Sequence, residues 1–287
     1  MRLLSFFFIA AAVFAADSIG FVFDNPFYTA DLTGRNIRGK LEDNGTLRSL
    51  VFKSAGGVRI ERSTNRMHWA PSFQRVGAKE YRSIGTWDPV RQHAKTETKK
   101  MVRLTRSGYA QDYPEIHLST EYDFIKNAPY FLFRSTMTIE KPMEMFFLRN
   151  QEMTMDHIFT HVVWPGADGE PVVVDFEARK PLLAAKPLPV DVPWVAFVNL
   201  DKGFGYGAIT LKHSATKTAN PLTSINDGVN PPARYWDRRL INQVPTHLDK
   251  GDKFEEETAY VLFKVTREQP VAEFLQWEKK IRKGHRK

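Results

Sequence analysis

The sequence predicts an all-β fold, a large antiparallel β-sandwich with a short C-terminal helix. Three observations predict it. From Ser18 to Arg267 the chain is a succession of short runs enriched in Val, Ile, Phe, Tyr and Thr, which suit pleated surfaces. Several runs alternate with the two-residue period of a strand. Only the C-terminal segment carries a helical period. No linker-like break interrupts the strands, so one β-sandwich domain is expected over residues 16–267, followed by a helix and basic tail over 268–287.

The N-terminus, "MRLLSFFFIAAAVFAAD", has one basic residue, Arg2, and then an apolar run from Leu3 to Ala15. Val13 and Ala15 occupy the small-residue positions of a cleavage site before Ala16. This reads as a secretory signal peptide over residues 1–15, and the mature protein is expected to be secreted or periplasmic. No later segment approaches the ~20 apolar residues of a membrane span.

The runs "FYTADLTG" and "NIRGKLED" precede "NGT" and "LRSLVFKS", and Asn44-Gly45 between strand-like runs predicts a hairpin. Gly56-Gly57 is a further break before "VRIERS". Thr64 to Gln92 is the least regular region and reads as long loops over one mouth of the sandwich. The Pro-rich "KPLLAAKPLPVDVPW" reads as a long polyproline-like connection. In "TAYVLFKV", Ala259, Val261, Phe263 and Val265 share one face while Tyr260, Leu262 and Lys264 share the other. Both faces are substantially apolar, so this strand is expected inside a stack of layers. In "PVAEFLQWEKKIRK", Pro270 suits a first helical turn, and Val271, Phe274, Leu275 and Ile281 form a docking stripe.

Composition narrows the function classes. The chain has 287 residues, ample for a core, and no cysteine. Thiol nucleophiles, Cys-type zinc sites and thioether-linked haem are therefore excluded. The formal net charge is +8, which favours acidic partners. In an exported protein those are uronate polysaccharides, sulfated glycans or envelope phosphates rather than nucleic acid. Part of the charge lies in the tail "EKKIRKGHRK", where it also serves as a solvated end. No phosphate-binding loop, dinucleotide fingerprint, G-x-S-x-G elbow or H-E-x-x-H is present, and no cofactor is expected.

Three stretches carry candidate site residues. In "NPPARYWDRRLINQ", a strand puts Arg234, Trp236 and Arg238 on one face and Tyr235, Asp237 and Arg239 on the other. Trp and Tyr offer flat surfaces for the C–H face of a sugar ring, and Arg presents a planar fork matched to carboxylate or sulfate. A ladder of Arg–Asp pairs with aromatic packing explains the same residues structurally. In "LRNQEMTMDHIFTHVVW", a strand from Asp156 to Val163 would point His157, Phe159 and His161 to one face. The two histidines then lie ~13 Å apart, too far to share one ion, so no metal site is read. Either imidazole suits proton transfer, and Arg149 just before them could meet a sugar carboxylate. The region from Arg66 to His93 interleaves Trp69, Tyr81 and Trp87 with basic residues, as a glycan cleft does.

"FYTADLTGRNIRGKLEDNGTLRSLVFKSAGG", with its Gly45, Leu47, Ser49, Leu50 run, resembles the opening of the galactose-mutarotase-like supersandwich domains. "EYDFIKNAPYFLFRSTMTIEKP" is similar to their central sheet, and "PWVAFVNLDKGFGYGAITLKHS" to their later Gly-rich hairpin. The resemblance covers most of the mature chain in strand order and texture. It implies a carbohydrate ligand, since the family spans sugar epimerases, polysaccharide lyase domains and noncatalytic sugar-binding domains. The histidine motifs that carry the mutarotases' His-Glu pair have no aligned counterpart, which argues against a simple aldose mutarotase. The leading expectation is β-elimination on an acidic polysaccharide, with Arg234 or Arg238 neutralising the uronate carboxylate, His161 as base and Tyr235 as acid. His157, Trp236, Trp69, Tyr81, Trp87 and Arg149 are expected to bind substrate. The alternatives are a noncatalytic sugar-binding or periplasmic structural protein of the same fold, and a sugar epimerase using His161 with an acidic partner.

Overall fold

The structure is a computed structural model that describes residues 21–32, 35–37, 40–42, 47, 49–60, 71–79, 82–83, 87–110, 112–155, 157–178, 187–229 and 232–285. The leader expected over 1–15 lies outside them. Among the described residues, twenty strands form four antiparallel sheets. The largest has nine strands. Its spatial order is β15 (Pro171–Asp175), β14 (His161–Pro165), β16 (Trp194–Asn199), β17 (Phe204–Ala215), β20 (Lys253–Lys264), β12 (Tyr130–Ile139), β11 (Tyr113–Ile125), β10 (Met101–Ala110) and β9 (Trp87–Glu97). A five-stranded sheet runs β18 (Leu222–Val229), β19 (Pro232–Leu248), β13 (Met143–Met155), β7 (Ser72–Arg75) and β8 (Arg82–Ser83). A four-stranded sheet runs β1 (Val22–Asp24), β2 (Tyr28–Asp31), β5 (Ser49–Phe52) and β6 (Val58–Arg59), and β3 (Arg35–Ile37) pairs with β4 (Lys40–Glu42). The fold class is the all-β sandwich that the residue pattern predicts.

The four- and five-stranded sheets cover one face of the nine-stranded sheet. On the four-stranded side, Phe23 stacks on Phe124 at 5.1 Å, and Tyr28 lies 6.1 Å from Phe131. Asn25 pins this sheet down. Its Nδ2 donates to the carbonyls of Ile125 and Ala128, while its Oδ1 accepts from the N–H of Phe27 and Tyr28. On the five-stranded side, Phe73, Leu148, Met153, Ile225 and Trp236 join the same buried cluster as Leu118, Tyr122 and Phe133 of the large sheet. Helix α1 (Ala272–His285) covers the opposite face of the large sheet.

The β20 alternation is realised on both sides. Tyr260 and Leu262 belong to the inter-sheet cluster, whereas Ala259, Val261, Phe263 and Val265 pack with Val271, Phe274 and Ile281 under the helix. Leu275 is half-buried against that second cluster. Gly207 permits the close approach: a Cβ there would overlap the Phe274 ring.

One polar row crosses the inner face. Arg106, Thr120, Ser135, Glu256 and His213 stand directly opposite one another on β10, β11, β12, β20 and β17. All but His213 are at most 2 % exposed. A bulge between Thr210 and Lys212 gives β17 one extra residue and sets the face on which His213 falls.

Several expectations are corrected. β4 pairs with β3 and β5 with β2, so the runs before and after Asn44-Gly45 do not form a hairpin with each other; the Asn-Gly pair itself lies outside the described residues. Thr64 to Gln92 is not loop throughout, since it contributes β7, β8 and the start of β9. Ser72 and Phe73 there are buried against β13, which overrides the irregular pattern. Asp156 to Val163 is not one strand: a turn at His157 and Ile158 separates β13 from β14. Arg149 to Glu152 accordingly lie within β13, not ahead of a strand. The first part of the Pro-rich segment, residues 180–186, lies outside the described residues; beyond it Leu188 bridges Thr223.

Candidate functional site

β19 divides its side chains between two environments. Arg234, Trp236 and Arg238 point inward, and Tyr235, Asp237 and Arg239 point outward. Trp236 is 2 % exposed within the inter-sheet cluster, its ring centroid 5.3 Å from the Arg238 guanidinium. Arg238 crosses the sandwich: its Nη1 donates to Glu256 Oε2 at 2.8 Å and its Nη2 to Thr210 Oγ1 at 2.9 Å. His213 Nδ1 lies 3.8 Å from Glu256 Oε1. Burial pushes the Glu256 carboxyl up, against the opposing pull of Arg238 and Asn150. Burial, then the Arg238 charge, pulls the His213 imidazole down to about 4, so it is neutral at ordinary pH.

Arg234 serves a separate inward cluster. Its Nε donates to Asp227 Oδ1 at 3.2 Å, its Nη2 to Glu177 at 2.8 Å, and its Nη1 to the Phe159 carbonyl. Its guanidinium lies 4.5 Å from the Phe176 ring centroid. His157 reaches the same carboxylate, with Nε2 3.4 Å from Asp227 Oδ1.

The outward face of the five-stranded sheet is polar across its width. Tyr235 stands opposite Asn226, Asp237 opposite Ser224, and Arg149 opposite both Arg239 and Ser72. Arg149 Nη1 donates to Asp237 Oδ2 at 3.2 Å and its Nη2 to Ser72 Oγ at 2.8 Å. Arg239 Nε donates to Asp237 Oδ1 at 3.0 Å. Two guanidinium groups therefore share one carboxylate. Arg149 and Asp237 are buried, while Arg239 and Tyr235 are half-buried. This face can bind an anion: one carboxylate orients two cations, and the more exposed cation shares the face with the Tyr235 phenol, four residues away. It is the candidate site.

The expected site residues are thus distributed. Tyr235 and Arg149 share the outward face. Arg234 and His157 share Asp227 at another place, and Arg238 and Trp236 are interior. His161 lies elsewhere again. It pairs with Val198, whose side chain belongs to the helix-side cluster, so it faces away from the five-stranded sheet. Its Nδ1 contacts Thr160 Oγ1 at 2.7 Å, and its Nε2 is 3.9 Å from Asp175. The Asp175 carboxyl is held below its usual range, mainly by the Glu177 N–H. Trp69 and Tyr81 lie outside the described residues; Trp87 contributes backbone to β9, but its side chain lies outside them. Among the described residues no group of three or more His, Asp or Glu could hold a metal ion.

Sequence reasoning passed over Asp237 and Arg239 as site residues, and over Glu256 and His213 altogether. A signal existed for Glu256: in "EEETAYVL" it is in phase with Tyr260 and Leu262, on an otherwise apolar face.

No protein-family model matches this sequence, and no curated protein does. Solved structures do. A galactose mutarotase-like protein from Lactobacillus casei aligns at TM-score 0.52 and 11% identity, over 85% of this chain and 100% of that one. A putative aldose 1-epimerase from Klebsiella pneumoniae aligns at TM-score 0.52 and 10% identity, over 89% of this chain and 80% of that one. A mutant heparan sulfate lyase from Pedobacter heparinus aligns at TM-score 0.51 and 11% identity, over 84% of this chain but only 33% of the lyase. At such identities the likeness is one of architecture, and the chain has the galactose mutarotase-like fold.

Proposed function

We propose that this is an exported carbohydrate-active protein that acts on an acidic polysaccharide by β-elimination, at the outward face of the five-stranded sheet. The observation that carries the reading is the Arg149–Asp237–Arg239 arrangement on the sheet face that also carries Tyr235. Arg239 takes the uronate carboxylate and stabilises the charge that develops as the C5 proton leaves. Tyr235, four residues away on the same face, is the group that moves the proton between C5 and the leaving oxygen. The C5–H bond breaks, a C4–C5 double bond forms, and the C4–O bond releases the leaving chain as an alcohol. Asp237 and Arg149 are positioning residues, because the Asp237 carboxylate accepts from both guanidinium groups.

The fold supports a carbohydrate ligand, since structures with this architecture include an epimerase and a lyase by name. The charge of +8 supports an acidic one, and the apolar run from Leu3 to Ala15 supports export.

The test is incubation with uronate polymers, read at the ultraviolet absorbance of the unsaturated product. A rise in wild type that is lost in Tyr235→Phe supports the reading. Binding without any rise would instead make the face a noncatalytic sugar-binding surface.

A further inference from the structure

On the opposite side of the sandwich, a groove of about 640 Å³ runs between the end of β20 and the first half of α1. That volume is in the range of small-ligand sites. Lys264, Thr266, Gln269, Glu273, Gln276, Trp277 and Lys280 are among the residues that line it. We propose that this groove is a second binding site, for a short segment of acidic glycan.

The chemistry of the lining argues for that occupant. The exposed Lys280 ammonium lies 4.4 Å from the centroid of the half-buried Trp277 ring, over one face of an indole that lines the groove. The ring also lies 5.8 Å from Tyr130 and packs against the helix-side cluster. An indole face held this way can take the C–H face of a pyranose, as it takes the lysine. Gln269, Gln276 and Thr266 supply donors and acceptors for ring hydroxyls.

Cations outnumber acids in the lining, with Lys264 and Lys280 against one carboxylate, Glu273. Glu273 accepts from the Lys264 N–H at 3.1 Å, and Glu278 is bound by Arg282 at 2.9 Å. Among the described residues no carboxylate pairs with the ammonium of Lys264, Lys279 or Lys280. An apolar peptide would find little to bury here, and a neutral sugar would leave the lysines unused. A ligand with carboxylate or sulfate groups, hydroxyls and one flat apolar face uses the lysines, the neutral polar side chains and the indole.

The inference rests on the acidic-glycan reading above, but on different residues. α1 covers the outer face of the nine-stranded sheet, whereas Tyr235 and Arg239 lie on the outer face of the five-stranded sheet. A short oligosaccharide cannot touch both, so two should bind per chain.

Calorimetry at low salt with two probes, a galacturonate tetrasaccharide and a heparin-derived tetrasaccharide, tests this. Wild type is expected to bind two molecules of at least one probe. Lys264→Ala/Lys280→Ala is expected to bind one, with affinity at the groove weakened about 10- to 100-fold per lysine. Both lysine side chains are on the surface, so the variant should melt like wild type. In protein labelled with 5-fluorotryptophan, the fluorine resonance missing from Trp277→Phe should shift on adding the probe. Unchanged stoichiometry and affinity in the lysine variant would overturn the proposal. So would no binding of either probe, or a response of Trp277 to phosphatidylglycerol vesicles alone. Loss of all binding in the lysine variant, with Arg239→Ala like wild type, would uphold this site and remove the other.

Discussion

Arg238 and Glu256 meet at 2.8 Å across the middle of the sandwich, each side chain 1 % exposed. The pair ties the sheet that carries the candidate site to the largest sheet. Removing one partner strands the other charge in the interior. Glu256→Ala is therefore expected to cost roughly 3–5 kcal/mol in urea unfolding. Arg238→Met/Glu256→Leu should recover most of that loss, because neither charge is then left alone. A double variant no more stable than the single would refute this account of the pair.

The His213 imidazole gives stability a dependence on pH. Its folded pKa, about 4, lies below the ordinary 6.5. The unfolded chain therefore takes up a proton before the folded chain does. The contribution is complete above about pH 6.5 and is lost as pH falls toward 4, by at most about 3 kcal/mol. Glu256 works in the opposite sense, since its raised pKa favours proton uptake by the folded state. Melting temperatures of wild type and His213→Gln between pH 4 and pH 7 separate the two. The wild-type decline should be the steeper, and parallel curves would count against it.

Tyr235→Phe removes one hydroxyl from a half-buried ring. Turnover of a uronate polymer should fall roughly 10²–10⁴-fold, with little change in melting temperature. Arg239→Ala should lower turnover as well, whereas His161→Ala should not, because that ring faces the helix side of the large sheet. Product absorbance with each variant decides between these assignments.

Gly207→Val should lift the C-terminal helix. Its side chain would enter the space of the Phe274 ring. Overpacking of this kind costs about 1–3 kcal/mol. Limited proteolysis should cut α1 in the variant under conditions that leave wild type whole. Equal resistance would show that Phe274 yields without undocking the helix.

Much of the fold was legible because strands announce themselves twice, by residue type and by alternation. The "TAYVLFKV" pattern even assigned β20 its two buried faces. The candidate site was harder to read for a physical reason. In "ARYWDRR" both faces combine an aromatic ring with guanidinium groups, so alternation separates the faces without saying which one is inward. The answer lies in partners distant in sequence: Arg149 for Asp237, and Glu256 for Arg238. The three consecutive glutamates from 255 to 257 look like a solvated run. Only their phase against Tyr260 and Leu262 marks the middle one as interior. The histidine pair misled because β-branched and aromatic neighbours suggested a continuous strand through what is a turn.

The bulge in β17 has a consequence for charge balance. With the extra residue, Lys212 stands opposite Glu257 on the outer face and His213 opposite Glu256 on the inner face. In a regular strand Lys212 itself would stand opposite Glu256. The interior would then enclose two cations, lysine and Arg238, around one carboxylate, in surroundings where an unmatched charge is costly. The extra residue substitutes a base that is uncharged at neutral pH, and leaves the Arg238–Glu256 neighbourhood electrically neutral. Shortening β17 by one residue at Leu211 would thus add a positive charge to the core while deleting only an aliphatic side chain.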